Sequence, residues 1–187
     1  RAGGKLAFCL EKFSRDVNGK NCLDVGCSTG GFTDCLLQHG AQHVLSMDVG
    51  YGQMDSRLAN DSRVTLLERT NARYFDRSQL ASDRPVQFGV VDVSFISLTK
   101  ILPPLQKTFS ELTEWLLLFK PQFEVGREHI GKGGVVRSET ATQNALSSFQ
   151  QFCADQGLRW PHPPEASPLT GKKSGNVEYL IHCVREL

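Results

Sequence analysis

A short glycine-rich segment, residues 23–34, holds the side chains and backbone groups best suited to binding a ligand. An apolar run leads into the segment, a helical pattern follows it, and its glycines let the backbone approach a ligand closely. Its hydroxyl side chains and the first N–H groups of the helix supply hydrogen-bond donors. The candidate cofactor-binding residues of this segment are Asp24, Gly26, Ser28, Thr29, Gly30, Gly31 and Phe32.

The spacing of these glycines narrows the choice of ligand. A dinucleotide fingerprint requires Gly-x-Gly-x-x-Gly and a P-loop requires Gly-Lys-Ser/Thr, and the segment matches neither. The pattern present, an acidic residue followed by x-Gly-x-x-x-Gly from Asp24, is typical of proteins that bind S-adenosylmethionine (SAM). Asp48 ends the next apolar run, where a carboxylate can accept both ribose hydroxyls of an adenosyl group. Asn71 follows the third run and is a candidate contact for adenine, although both residues are also common in ordinary turns.

Two further charged residues, Asp92 and Lys120, lie at the ends of apolar runs. A charge at the end of a buried strand costs free energy unless it is paired or hydrated. If the two strands are neighbours, the ammonium and the carboxylate meet at one edge of the sheet. A catalytic pair and a structural ion pair are both open interpretations.

Apolar runs alternate with helical patterns, which predicts an α/β fold with a mostly parallel central sheet flanked by helices. Consecutive apolar residues in the fourth and fifth runs indicate strands that are buried on both faces. The predicted strands are residues 21–25, 43–49, 64–67, 88–93, 115–119 and 179–184. The predicted helices include an opening helix that ends at Asn18-Gly19, residues 32–39 and residues 140–156. Residues 126–136 are predicted to form a glycine-rich loop, and residues 160–168 an irregular proline-rich connection.

Composition favours one domain and makes several classes of protein improbable. The chain has 187 residues, 40% of them hydrophobic, and a net charge of +1, so nucleic-acid binding would depend on local basic patches. Its apolar runs are far shorter than the roughly 20 residues that span a bilayer, so no stable membrane association is expected. The six cysteines include no Cys-x-x-Cys pair and the histidines show no metal spacing. This pattern favours a reducing cytoplasm and predicts neither a metal site nor a disulfide framework.

Several motifs, in the same order, resemble those of the FtsJ-like ribose 2′-O-methyltransferases, most closely the TlyA-type branch that is often called hemolysin-like. The matching stretches run nearly end to end: residues 1–6, 24–34, 48–53, 68–73, 91–97, 120–137 and 175–180. The resemblance implies a Rossmann-like methyltransferase domain over residues 1–187, with a sheet of about seven strands and SAM as the cofactor. It also implies an S4-like RNA-binding domain upstream of this sequence.

The resemblance further implies methyl transfer to a ribose 2′-hydroxyl of RNA, with ribosomal RNA as the substrate. By motif, the catalytic tetrad of the family maps onto Lys5, Asp92, Lys120 and Glu178. Lys120 then either accepts the hydroxyl proton or stabilises the developing alkoxide as a charged group, and the sequence leaves both roles open. The basic residues expected to bind RNA phosphate are Arg69, Arg73, Arg77, Arg127, Lys132, Arg137, Lys172 and Lys173.

Three other functions are weighed against this hypothesis. A SAM methyltransferase could act on a small molecule or on a protein side chain. A hemolysin-like protein would act on membranes, but the sequence lacks the basic amphipathic helix which that activity favours. An RNA-binding module without catalysis would not need all four tetrad candidates.

Overall fold

The computed structural model describes residues 2–168 and 175–186, and one mixed sheet of eight strands forms its centre. The strand order is β3-β2-β1-β4-β5-β8-β6, and β7 pairs with β8. The strands are β1 Asn21–Val25, β2 His43–Met47, β3 Val64–Leu67, β4 Phe88–Val91, β5 Glu114–Phe119, β6 Leu158–Arg159, β7 Glu165–Ala166 and β8 Tyr179–Arg185. The α-helices in the described residues are α1 Ala2–Lys12, α2 Gly31–Gln38, α3 Ser56–Ala59, α4 Leu98–Thr108 and α5 Glu139–Asp155.

Strands β1 to β5 run parallel, and β8 lies antiparallel to β5. Every residue of β2, β4 and β5 is buried, as expected for strands covered on both faces. The predicted α/β class and the predicted double-sided burial of the fourth and fifth runs are confirmed. The strand order reverses beside β1, which has β2 on one side and β4 on the other, and α/β sheets bind ligands at such a reversal.

Two apolar clusters cover the two faces of the sheet. One contains residues of α1 and α2, such as Leu6 and Leu36, packed with Val90 of β4. The other contains residues of α4 and α5, such as Leu102 and Phe149. Because both faces are packed, the ends of the central strands have fixed positions, and side chains just beyond those ends are held on a rigid base.

Helix α1 is positioned by contacts at both of its ends. A Cβ atom at Gly31 would lie 3.1 Å from the backbone nitrogen of Gly3, so α1 and α2 approach this closely only because the position has no side chain. After α1, Arg15 donates hydrogen bonds of 2.5 and 2.9 Å to the two carboxylate oxygens of Glu114 at the start of β5. Burial by itself would raise the pKa of Glu114, but the neighbouring His182 ring, 3.4 Å away, and the hydrogen bonds from Arg15 outweigh burial and hold this pKa at about 2. The resulting charged pair fixes the far end of α1 to the sheet.

Three local predictions differ from the structure. The opening helix ends at Lys12 instead of Asn18, although Phe13 and Val17 beyond it remain buried. Helix α4 is not predicted from the sequence because prolines, which lack the N–H group, usually end helices, whereas Pro103 and Pro104 lie inside this one. The proline-rich stretch contains the short strand β7.

Candidate active site

An open cavity of about 600 Å³ lies beyond the carboxyl ends of β1 to β4. This volume is within the range of small-molecule and cofactor sites, roughly 300 to 1,000 Å³. Its wall combines apolar side chains with a few convergent polar groups, which is the usual composition of such sites. The polar residues that line it include Ser28, Asp48, Gln53, Thr70, Asn71, Asp92 and Ser94, and the apolar ones include Val25, Met47, Phe95 and Ile101.

Gly26 brings two walls of the cavity together. It has a φ of +84°, and an added Cβ atom would lie 2.0 Å from the backbone oxygen of Asp92. Any side chain at this position would push the ends of β1 and β4 apart, so glycine is required for the close approach. Ser28 follows, also with a positive φ, and its N–H donates a 2.8 Å hydrogen bond to Asp48. Gly26 and Ser28 therefore occupy the predicted cofactor side of the turn.

Asp48 lies at the end of β2, on the cavity wall. One of its carboxylate oxygens accepts a hydrogen bond from Ser28 N and the other accepts one from Gly50 N, and each donor–acceptor distance is 2.8 Å. A carboxylate oxygen has two lone pairs, so both oxygens can still accept a ligand hydroxyl. Asn71 also lines the cavity, and its side-chain oxygen accepts a 3.0 Å hydrogen bond from Arg73 N. This geometry is compatible with the predicted adenosyl contacts of Asp48 and Asn71, which stay predictions.

Asp24 lies beneath the turn and does not line the cavity. Its side chain is fully buried, and Oδ2 accepts a 2.7 Å hydrogen bond from the Thr33 hydroxyl. Burial raises the pKa of Asp24 to about 7, against the opposing effect of that hydrogen bond, and the nearby charges of Asp92 and Asp48 raise it further. The acidic residue of the predicted motif thus holds β1 to α2 from below in this structure.

The other residues predicted in the turn are not among those that line the cavity. Gly30 lies against Leu58 and Met54, where an added Cβ atom would be 2.7 Å from Leu58. Gly31 lies against α1, and Phe32 is buried in the apolar cluster of α1 and α2. The backbone oxygen of Thr29 accepts a hydrogen bond from Asp55 N. The structure gives these four residues packing and turn-forming contacts, and their predicted contact with the cofactor stays a prediction.

Asp92 and Lys120 form an ion pair, with Lys120 Nζ 2.6 Å from Asp92 Oδ1. They follow β4 and β5, which are parallel neighbours, so the predicted meeting at the edge of the sheet is confirmed. Lys120 Nζ also donates a 3.2 Å hydrogen bond to the Ser94 hydroxyl. The side chains of Lys120 and Asp92 are only 11% and 22% exposed, so the pair is mostly removed from water.

Glu124 makes a second connection between the same two loops, and it was not among the predicted site residues. Its carboxylate accepts hydrogen bonds of 2.9 Å from Leu98 N and 2.7 Å from the Ser97 hydroxyl, at the start of α4. Burial raises the pKa of Glu124, although these two hydrogen bonds oppose the shift. The sequence signal is a serine that can cap a helix at Ser97, but the prolines of α4 argue against that helix, and nothing local indicates that Glu124 contacts the cap.

Phe95 is the other residue that the sequence did not single out. Its side chain is 89% exposed at the cavity wall, its φ is +64°, and its ring centre lies 5.1 Å from that of Phe123. A bulky residue with a positive φ is strained, and such strain is concentrated at functional sites. Phe95 is therefore a candidate for contact with a ligand.

Lys5 and Glu178 form a second ion pair, with Lys5 Nζ 2.8 Å from Glu178 Oε2. Their side chains are 16% and 8% exposed. Glu178 immediately precedes β8, and Lys120 immediately follows β5; the last paired residues of these antiparallel strands are Phe119 and Tyr179. Glu178 and Lys120 therefore lie just beyond their strands at the same edge of the sheet. The four predicted catalytic residues form two ion pairs.

The predicted RNA-binding residues fall into three groups. The guanidinium of Arg69 lies 4.2 Å above the ring of Tyr51, and that of Arg73 lies 5.3 Å from the ring centre of Tyr74. The glycine-rich loop exposes Arg127, Lys132 and Arg137. Arg77 forms ion pairs with Glu111 and Asp83, each with an N–O distance of 2.6 Å, so its guanidinium has a structural role, and its predicted RNA contact stays a prediction. Lys172 and Lys173 lie outside the described residues.

The polar groups that line the cavity fit SAM. Asp48 offers acceptors for ribose hydroxyls, and the carboxylates of Asp48 and Asp92 favour a ligand that carries positive charge, as SAM does. Residues 2–168 and 175–186 contain no group of three or more side chains arranged to hold a metal ion. All six cysteines are unpaired and buried. No helix in the described part of the chain is long and apolar enough to cross a membrane.

A mostly parallel sheet with an antiparallel β8, a glycine turn after β1 and carboxylates after β2 and β4 are the features of a Rossmann-like α/β protein that binds a nucleotide-type ligand at its strand ends. Within that class, residues 1–185 match the sequence model of the FtsJ-like methyltransferases, and the chain belongs to this family.

Several relatives are similar over almost the whole chain. The 16S/23S rRNA (cytidine-2′-O)-methyltransferase TlyA of Mycobacterium tuberculosis is 44% identical over 97% of this chain and 66% of its own length. Hemolysin A of Brachyspira hyodysenteriae is 42% identical over 98% of this chain and 75% of its own length. The chain thus spans about two thirds to three quarters of these relatives. A solved structure from Lactococcus lactis, described as a hemolysin, has a TM-score of 0.92 at 39% identity and covers 100% of this chain and 88% of its own.

Proposed function

We propose that this chain transfers the methyl group of SAM to a ribose 2′-hydroxyl of ribosomal RNA. The observation that carries the proposal is the presence of two ion pairs, Lys120–Asp92 and Lys5–Glu178, at one edge of the sheet. A hydroxyl is a poor nucleophile, so the site must stabilise negative charge on its oxygen as the proton is lost. The names of relatives from M. tuberculosis and Campylobacter jejuni, both cytidine-2′-O-methyltransferases of rRNA, support RNA as the acceptor.

Lys120 is the residue best placed to stabilise the oxygen. When bound, SAM supplies an electrophilic methyl group. The contacts of Lys120 Nζ with Asp92 and Ser94 fix its position and leave one of its three N–H groups for the acceptor oxygen. With a carboxylate beside each lysine, the arrangement favours the electrostatic role of Lys120 over the role of base, and the hydroxyl proton then leaves to water.

Recognition of RNA would use the groups around the cavity. Phe95 offers an aromatic face on which a base can stack, and the Arg69–Tyr51 pair offers a second such surface. Lys132, with the other exposed basic residues named above, would bind phosphate. Because phosphate contacts release counterions, we expect binding of RNA by this chain to fall steeply with salt.

The test is transfer from methyl-labelled SAM to isolated ribosomal subunits, followed by alkaline hydrolysis of the extracted RNA. A 2′-O-methyl group blocks cleavage at the next phosphodiester, so label is expected in an alkali-resistant dinucleotide. Label in single nucleotides, in protein or in a small molecule would contradict the proposal. Lys107→Ala, which changes an exposed lysine on α4, is the control that should transfer label normally.

A further inference from the structure

Residues 130–136 form a closed turn that we call the glycine hairpin. Ile130 and Val136 form a β-bridge, and Gly131 N donates a 2.8 Å hydrogen bond to Val135 O. Two glycines near its tip have φ values of +73° and +76°, and an added Cβ on either would meet nothing within 4 Å. The hairpin is therefore held by its own backbone, and it presents Lys132 to solvent.

Asn176 fastens this hairpin to another part of the chain. Its side chain is buried, with 2% exposure, and its two ends make different hydrogen bonds. Oδ1 accepts a 2.9 Å hydrogen bond from Val136 N, and Nδ2 donates a 3.0 Å hydrogen bond to Gly134 O. Only a side chain with both an acceptor and a donor can make this pair of bonds, and among short side chains the asparagine amide meets that requirement.

The same short segment carries Glu178, two residues after Asn176. The Glu178 carboxylate pairs with Lys5, and its backbone oxygen accepts a 2.8 Å hydrogen bond from Ser167 N. The segment is thus bound on one side to the glycine hairpin. On the other side it is bound to α1, through Lys5, and to Ser167, which directly follows β7. A shift of the hairpin would be passed on to an ion pair of the active site.

We propose that Asn176 is a positioning residue that keeps Lys132, at the tip of the glycine hairpin, in a fixed relation to the Lys5–Glu178 pair. The inference rests on the proposed function, because this relation matters for turnover only if the hairpin binds the RNA whose ribose is methylated. Phosphate held by Lys132 would then set where the ribose lies relative to both ion pairs. Asn176 itself touches neither SAM nor the reacting oxygen.

The first test compares Asn176→Ala with the unchanged protein and with Asn144→Ala, which alters an exposed asparagine on α5. We expect Asn176→Ala to raise KM for RNA and to lower kcat, each about tenfold, because both lysines lose their fixed relation. The Kd for SAM should stay within about twofold. Trypsin cleavage after Lys132 should become about tenfold faster, because the hairpin opens more often.

A second variant, Asn176→Asp, gives a signature that loss of stability alone would not produce. An ionised carboxylate can still accept from Val136 N, but it places an oxygen against the oxygen of Gly134. A protonated carboxyl can donate to Gly134 O as asparagine does. The activity of Asn176→Asp relative to the unchanged protein should therefore recover as the pH falls, whereas that of Asn176→Ala should not.

Two results would overturn the proposal: unchanged KM, kcat and trypsin cleavage in Asn176→Ala, or a lower kcat with unchanged KM for RNA and unchanged cleavage. The cleavage and SAM measurements require no RNA. If the unchanged protein methylated no RNA, the proposed function would fail, and the anchoring of the hairpin by Asn176 would still be decided by the trypsin rates.

Discussion

The two ion pairs of the active site are built by different parts of the fold. Asp92 and Lys120 extend from neighbouring parallel strands, so the hydrogen bonds of the sheet fix their separation. Lys5 and Glu178 are 173 residues apart in sequence and come from a helix near the start of the chain and a segment before the last strand. The first pair is thus fixed by sheet register, and the second depends on the packing of α1 and on the anchoring of residues 175–178. We expect remote changes to affect the second pair more.

Lys120→Ala should have the largest effect. Removing the ammonium that faces the acceptor oxygen should lower kcat about 1,000-fold, the upper end of what loss of one charge-stabilising donor costs. The Kd for SAM, measured by calorimetry, should stay within about twofold, because the adenosyl contacts are expected at Asp48. Asp48→Ala should show the reverse pattern, with weaker binding of SAM. Loss of SAM binding in Lys120→Ala would contradict this division of roles.

The pair that depends on loops is tested by Glu178→Gln, which removes the charge next to Lys5 and nearly preserves the shape of the side chain. We expect kcat to fall about 100-fold, less than for Lys120→Ala, because the first pair stays in place. The double variant Lys5→Ala/Glu178→Gln should be little worse than either single variant, since the two residues act as a unit. Lys12→Ala, at the other end of α1, is the matched control. Additive losses would mean that the two residues act separately.

Glu124→Gln tests whether the first pair is held by more than strand register. A glutamine amide can accept a hydrogen bond from Leu98 N or from Ser97, but its NH₂ group cannot accept the second one. The Ser97 hydroxyl must then accept from this NH₂ group, which is weaker than its present donation to a carboxylate, and the loop that carries Asp92 is less firmly held. We expect kcat to fall about tenfold with the Kd for SAM unchanged. An unchanged kcat would show that β4 and β5 position the pair unaided.

The sequence was more informative about the strand-borne half of the site than about the rest. Apolar runs ending in a charged residue predict β4 and β5, and they place Asp92 beside Lys120 on the condition, met in the structure, that the two strands are neighbours. Lys5 and Glu178 were predicted only through the resemblance to a family, since nothing local indicates that two distant segments meet.

The features that the sequence did not predict all depend on tertiary contacts, which local sequence patterns do not show. Helix α4 contains two prolines that local propensity places at helix ends, and its cap by Glu124 is invisible without the fold. Gly31 is predicted as a cofactor contact, which stays a prediction, but the sequence does not show that its lack of a side chain also admits α1. Phe95 is an ordinary aromatic in sequence, and only its exposure and positive φ indicate a role.

The last expected effect concerns Asp24, beneath the cavity, and it is measured as a change of stability, not of turnover. Burial and the charge of Asp92 raise the pKa of Asp24 to about 7, above the ordinary value of about 4 that applies to the unfolded chain. Ionisation is therefore less favourable in the folded state. The contribution of Asp24 to the free energy of unfolding is complete below about pH 4 and is lost as the pH rises to about 7, by at most about 4 kcal/mol.

Asp24→Asn cannot ionise at this position, so its free energy of unfolding should lack that decline. Urea unfolding at several pH values between about 4 and 8 gives the difference between variant and unchanged protein, in which the titration of other groups largely cancels. Asp92→Asn should reduce the decline, because it removes a charge that raises the pKa of Asp24, whereas Glu178→Gln should leave it unchanged. If Asp92→Asn and Glu178→Gln changed the decline equally, the charge of Asp92 would have no specific effect on the pKa of Asp24. A decline that is the same in Asp24→Asn as in the unchanged protein would exclude Asp24 as its origin.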